Sequence, residues 1–119
     1  MKTYRDLIVW QKSMELVKEI YRLTKLLPRE ERYGLVSQMQ RAAVSIPSNI
    51  AEGYGRVSTY DYIRFLNIAR GSKHELETQL EICVMLGYMS GKTAADATGL
   101  CDEIGKMLNV LIDRIGSRR

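Results

Sequence analysis

The stretch RAAVSIPSNIAEGYGR, residues 41–56, decides how the chain folds. Ala42, Ala43, Ile46 and Ile50 recur at the spacing of one helical face. Yet Pro47 stands inside that run, and Ser45, Ser48, Asn49 and Glu52 surround it. Proline removes one amide donor, frees the carbonyl four residues earlier (Ala43 here) and can bend a helix. Serine and asparagine side chains can take up backbone groups released nearby. On a helical wheel Gln38, Arg41, Ser45, Asn49, Glu52 and Arg56 border the apolar face. Such a border could be a catalytic pocket, a binding site or a structural polar network. Catalysis needs a poised acid, base or nucleophile. The chain has one histidine, His74, expected on an outer helix face, and Glu52 has no second carboxylate near it on its own helix. The favoured reading is a buried, mutually satisfied polar seam with Arg70, Ser72, Lys73 and Glu75 as partners on the next helix.

Working outward, this stretch closes the second of four helices. The first spans about 6–27, with Val9, Ser13, Leu16, Ile20, Leu23 and Leu27 facing the core and Pro28 closing it. The second runs from near Glu31 to Tyr54, buries Leu35, Met39, Ala42, Ala43, Ile46 and Ile50, and is ended by Gly53 and Gly55. Ser58 and Asp61 form a capping box for the third, about 59–86. Its face carries Tyr62, Phe65, Leu66, Ala69, Leu76, Leu80 and Cys83, and Gly87 stops it. Thr93 and Asp96 cap the fourth, striped by Ala97, Cys101, Ile104, Leu108, Leu111 and Ile115. No segment alternates as a strand would. Four helices on short joints predict an all-α, antiparallel up-down-up-down bundle, one domain over residues 1–119.

Composition bounds the function. Apolar residues are 45% and charged residues 27%, ordinary globular values, and no apolar run approaches a membrane span. The start MKTYRDLIVWQK has no apolar signal core, and Cys83 and Cys101 lack metal-ligand or CxxC spacing. A cytoplasmic protein with reduced thiols is expected, with neither metal nor cofactor and no membrane contact. The net charge of +4 permits polyanion binding without requiring it. GYMSGKT, residues 87–93, imitates a phosphate-binding loop but is one residue short and lacks a preceding strand. It reads as a helix–helix turn. In YGRVSTYDY, residues 54–62, the tyrosines suit packing at a helix junction better than base stacking.

The blocks DLIVWQKS, PREERYGLVSQMQRAAVSIPSNIAEGYGR and FLNIARGSKHELETQLEICVMLGY, with the closing helix, carry a resemblance. The chain resembles the four-helix-bundle proteins encoded in 23S rRNA intervening sequences. That family is related to the accessory variability determinant proteins of diversity-generating retroelements. Arg41, Asn49, Glu52, Gly53 and Arg56 match one motif, and Gly71, Ser72 and Glu75 another. Lys73 departs from a commonly apolar position, which a partner in Glu52 or Glu75 would reconcile. The resemblance implies a homopentameric ring, no known enzymatic activity and, in the retroelement branch, a basic partner of a reverse transcriptase and its RNA.

Two surfaces then stand out. Lys18, Arg22, Lys25 and Arg29 lie within about 60° of one another on the first helix, at 3.6 residues per turn, with no acid in the arc. With Arg118 and Arg119 at the tail they are the candidate nucleic-acid contacts. Surplus apolar side chains flank the core stripes: Trp10, Met14 and Tyr21 on the first helix, Ile68 and Ile82 on the third. They are the candidate oligomer interface. The expected function is a non-enzymatic adaptor that binds RNA or single-stranded nucleic acid. The alternative is a purely protein-binding structural ring.

Overall fold

The structure is a computed structural model that describes residues 2–117. Helix α1 spans Ile8–Thr24, α2 Leu35–Tyr54, α3 Thr59–Met85 and α4 Gly91–Gly116, with 3-10 turns at Tyr4–Asp6 and Arg29–Glu31. No strand occurs among the described residues. Each helix packs on two neighbours, in the cycle α1–α2–α3–α4–α1, and the backbones of the diagonal pairs stay apart. The four-residue joint between α2 and α3 and the five-residue joint between α3 and α4 are too short to return the chain to the far end of a helix. These neighbours therefore run antiparallel. Gln40, early in α2, donates to Thr24 at the end of α1, so that pair is antiparallel too. The result is the up-down-up-down bundle the periodicity predicts.

Most of each stripe is buried, but Leu35, Tyr62, Phe65 and Leu111 are only partly so, and Ile63 joins the core in place of the two aromatic residues. Leu16, Ile20, Leu23, Met39, Ile46, Ile50, Leu66, Leu76, Ile104 and Leu108 are fully buried. Ser13 is buried with them because its hydroxyl donates to the Val9 carbonyl at 2.7 Å. That bond spares the core an unpaired polar group. Helix α2 passes through Pro47 without interruption, and Pro47 is itself buried. Asn49 Nδ2 donates to the Ser45 carbonyl at 2.8 Å and to Ser45 Oγ at 2.9 Å, so side-chain bonds brace the turn around the proline.

The helix ends depart from expectation. Thr3 and Asp6 form a reciprocal capping box on the first 3-10 turn, so α1 proper begins at Ile8. Successive short-range bonds from the amides of Lys25, Leu26 and Leu27 wind α1 down before Pro28. Helix α2 starts at Leu35 rather than near Glu31, its first amide taken by the Glu31 carboxylate at 3.3 Å. Ser58 caps α3 by accepting from the Asp61 amide. Ser90, not Thr93 with Asp96, caps α4, accepting from the Thr93 amide at 3.0 Å. The segment 87–93 is a helix–helix turn: Gly87 has φ +79° and the Tyr88 amide reaches back to the Cys83 carbonyl.

Gly53 does not terminate α2. It is buried inside the helix, and a Cβ there would lie 2.8 Å from Phe65 Cβ and 3.2 Å from the Tyr62 carbonyl. The glycine lets α2 and α3 approach at a distance no larger residue permits. Tyr54 then meets Tyr62 edge-on, with ring centroids 6.1 Å apart, so both junction tyrosines pack as anticipated.

Candidate functional site

The polar seam is the first candidate, and the structure does not close it into a buried network. At its centre Ser45 Oγ and Ser72 Oγ pair across α2 and α3 at 2.8 Å. Arg41, Glu52, Arg56 and Glu75 are exposed, because they stand beyond the contact line of the two helices. Among the described residues Glu52 pairs only with Arg56, which lies just past the end of α2 and not on it, at 3.6 Å. Arg56 also lies over the Phe65 ring, 4.9 Å from its centroid. Arg70 turns the other way, toward α4, and donates to Asn109 and Asn67. Glu75 accepts from Gln79, whose carbonyl oxygen is the one buried side-chain polar atom without a protein partner among the described residues.

The buried charge is instead Lys73, between α3 and α4. Its side chain is 10% exposed and its ammonium donates to Glu77 at 3.0 Å, not to Glu52 or Glu75. It fits because position 105 is glycine: a Cβ there would lie 2.9 Å from Nζ. Cys101, beneath the pair, is pushed up to about 12 by burial; Glu77 adds to the shift and Lys73 opposes it. Burial also raises the Cys83 thiol. Neither thiol is poised as a nucleophile, since the thiolate is the reactive form. His74 is exposed beside Glu77 and Glu81, in a depression of about 630 Å³ between α3 and α4 whose floor is Leu80, Val84 and Ala94. No group of three or more His, Cys, Asp or Glu is placed to hold a metal among the described residues.

Charge is uneven around α1. Two depressions along the α1–α2 face meet at Tyr21 and Gln40, and Lys25, Arg29, Arg32 and Arg41 line them without a carboxylate. Of two depressions on the α4 side, one is lined by Glu15, Glu19, Asp96 and Glu103 without a cation, and the other, at the start of α1, by apolar residues with Lys106 and Arg114. Lys12 reaches the edge of the acidic one, 3.4 Å from Glu103. Of the sequence-predicted arc, Lys18, Lys25 and Arg29 are exposed and make no ion pair among the described residues. Arg22 differs. It pairs with Glu19, one turn away, so the arc is not free of acid. Long side chains three apart on a helix meet across the wheel angle that seemed to separate them. Arg32 extends the arc past Arg29, as its place in the sequence suggests, whereas Arg41 sits on α2 and joins this face only through the packing of α1 on α2. Arg118 and Arg119 lie outside the described residues.

The candidate interface side chains form two patches. Met14, Tyr21 and Ile68 are substantially exposed, Trp10 and Ile82 half-buried. Trp10 is partly covered by Tyr4, edge-on at 5.4 Å. Helices α1 and α3 are diagonal in the bundle, so the Trp10–Met14–Tyr21 residues and the Ile68 and Ile82 residues lie on separate faces. No helix among the described residues is long and apolar enough to cross a membrane.

This architecture agrees with what the chain is similar to. A crystal structure of a protein of unknown function from the S23 ribosomal protein family of Bacteroides thetaiotaomicron superimposes with a TM-score of 0.81 at 31% identity. The match covers 88% of this chain and 98% of that one. No curated protein matches the chain significantly. The 23S rRNA-intervening sequence protein family matches residues 5–110, which span all but the last turns of the bundle. The chain belongs to the 23S rRNA-intervening sequence protein family.

Proposed function

We propose that the protein is a non-enzymatic, cytoplasmic adaptor that assembles as a homopentameric ring. It binds RNA or single-stranded nucleic acid through the α1–α2 face, without strong sequence preference. A reverse transcriptase of the diversity-generating retroelement kind is the partner this reading favours. The observation that carries nucleic-acid binding is the charge of the α1–α2 face: four cations and no carboxylate line its two depressions, whereas four carboxylates line one of the depressions between α1 and α4. Such a face attracts phosphates from any sequence. Repetition around a ring would multiply it. Apolar side chains at Trp10 and Met14 on α1 and at Ile68 and Ile82 on α3 support a head-to-tail contact, which closes into a ring when the rotation allows; Tyr21 lines the basic depressions and stays with the nucleic-acid face. The number five and the reverse transcriptase come from the resemblance.

The test is fluorescence anisotropy with single-stranded RNA across a salt series, on protein sized by light scattering. Affinity is expected to fall by roughly 0.7 log units per log unit of salt for each phosphate neutralised. Lys25→Glu with Arg29→Glu should remove most binding and leave helicity unchanged, since both side chains are exposed. Undiminished binding by that double variant would refute this face as the site. A monomer of 13.6 kDa at micromolar concentration would refute the ring.

One observation favours a second reading. The acidic α1–α4 face is complementary to the basic α1–α2 face, so a ring could join the two and leave no phosphate surface. A purely structural ring of that kind would bind no RNA even at low salt, and high salt would dissociate it.

A further inference from the structure

Tyr33 is 86% exposed, although the turn that carries it is firmly built. The amides of Glu31, Arg32 and Gly34 each bond to the carbonyl three residues earlier, at 2.9, 3.0 and 3.0 Å. The Glu31 carboxylate is turned inward, accepting from the Leu35 amide and from the Tyr88 hydroxyl at 2.8 Å. That bond holds the Tyr88 hydroxyl above its usual range. Gly34 is what admits this carboxylate, since a Cβ there would lie 2.8 Å from Glu31 Oε1. The turn therefore hides one charge and presents a large aromatic ring to water. Nothing in the core requires Tyr33.

Its neighbours point to a ligand. The Arg32 guanidinium lies over the Tyr33 ring, 5.4 Å from the centroid, and Arg32 also lines the depression with Lys25 and Arg29. Tyr21, 43% exposed, is shared by this depression and the one that contains Arg41 and Ser37. Glu30 is exposed on the same turn and is outnumbered by Arg29 and Arg32. Aromatic rings interleaved with cations are the composition that holds unpaired bases: phosphates meet the cations and the base planes stack on the rings. A duplex offers its phosphates but not its base planes.

We propose that the α1–α2 end is a stacking site for unpaired nucleobases, with Tyr33 and Tyr21 as the platforms and Lys25, Arg29, Arg32 and Arg41 on the phosphates. The proposal rests on the nucleic-acid reading above and adds to it a preference for single strands. A ring that displays this end repeatedly gathers a flexible strand and not a rigid helix.

The experiment compares a fluorescent oligoadenylate, a duplex RNA of equal phosphate number and inorganic polyphosphate as competitor. The oligoadenylate is expected to bind more tightly than the duplex and to resist polyphosphate. Tyr33→Ala should weaken oligoadenylate binding by roughly fivefold to a hundredfold, the range for one lost base stack. Tyr21→Ala should weaken it within the same range, and Tyr33→Trp should restore it. The salt slope should not change in either alanine variant, because the cations remain. Tyr33 is exposed enough that its variants keep the fold, which circular dichroism checks. Salt-dependent binding indifferent to both tyrosines, or equal affinity for the duplex, overturns the stacking site and leaves the wider reading standing. Absence of binding to every nucleic acid at low salt overturns both.

Discussion

The two seams of α3 are closed by glycines used in different ways. Against α2, Gly53 meets Phe65 Cβ and the Tyr62 backbone; against α4, Gly105 meets the flexible end of Lys73. A glycine inside a helix costs about 1 kcal/mol relative to alanine, so each must be offset. At Gly53 the offset is close approach of two helices, with the Ser45–Ser72 hydroxyl pair alongside. At Gly105 it is room for a long apolar stem whose ammonium reaches the partly exposed Glu77. The first seam tolerates almost no added atom. The second has a side chain that can move.

The largest expected effect is at the rigid seam. Gly53→Val should cost about 3 kcal/mol, the upper part of the overpacking range, because neither Phe65 Cβ nor the Tyr62 carbonyl can swing aside. Gly105→Ala should stay within about 1 kcal/mol of the parent, since Lys73 Nζ can shift and helix propensity improves. Urea denaturation of the two variants decides it, and equal losses would erase the distinction between the seams.

Next in size is the ion pair. Glu77→Ala should cost about 2 kcal/mol by leaving the Lys73 ammonium unpaired, less than a fully buried pair because Glu77 is a third exposed. Lys73→Met should fall within about 1 kcal/mol of the parent, or stabilise, since an apolar side chain of similar shape fills the same groove. If Lys73→Met proves the more damaging of the two, the lysine is held by more than Glu77.

The smallest effect belongs to the exposed border of the rigid seam. Glu52→Ala should move stability by no more than about 0.5 kcal/mol, the worth of an exposed i,i+4 pair. A loss of several kcal/mol in dilute solution would mean that assembly buries Glu52. Repeating the measurement across protein concentrations separates assembly from the protomer fold.

The alkaline limit sharpens the same contrast, because each seam buries a titrating group. Burial raises Cys101 and Tyr62 each to about 12, from ordinary values of 9.0 and 10.0. Between roughly pH 9 and 12 the unfolded chain loses these protons while the folded chain keeps them, so stability should fall as pH rises. Cys101→Ala should flatten the lower part of that fall in a pH series of thermal melts. An unaltered slope would mean that Cys101 ionises in the fold as readily as in the unfolded chain.

The polar border of α2 shows where reading residues in a line goes astray. Five of its six polar positions do share one edge of the helix, Arg56 lying past the helix end, and Asn49 does brace the turn before Pro47. Their burial was misjudged because a wheel gives the angle of a side chain and not the distance to the next helix. Lys73 looked out of place beside Glu52 and Glu75, and its partner was Glu77, four residues along the same helix. The i,i+4 spacing was the available signal. The basic face was largely legible: Lys18, Lys25 and Arg29 follow from spacing, with Arg32 beyond them, whereas Arg41 joins only when α1 packs on α2.

By itself the sequence determined four helices, their joints and the face each turns inward. These are local properties: the 3.6-residue period and the capping groups act within a few residues along the chain. The tertiary structure alone decided that Gly53 is a contact point and not a helix end, that Lys73 is housed at Gly105, and that cations of α1, the joint after it and α2 line one continuous face. Those properties depend on how far apart two helices pack and in what register. Both are set by side chains remote in sequence, whose volumes must fit one another before any single helix has a settled neighbour.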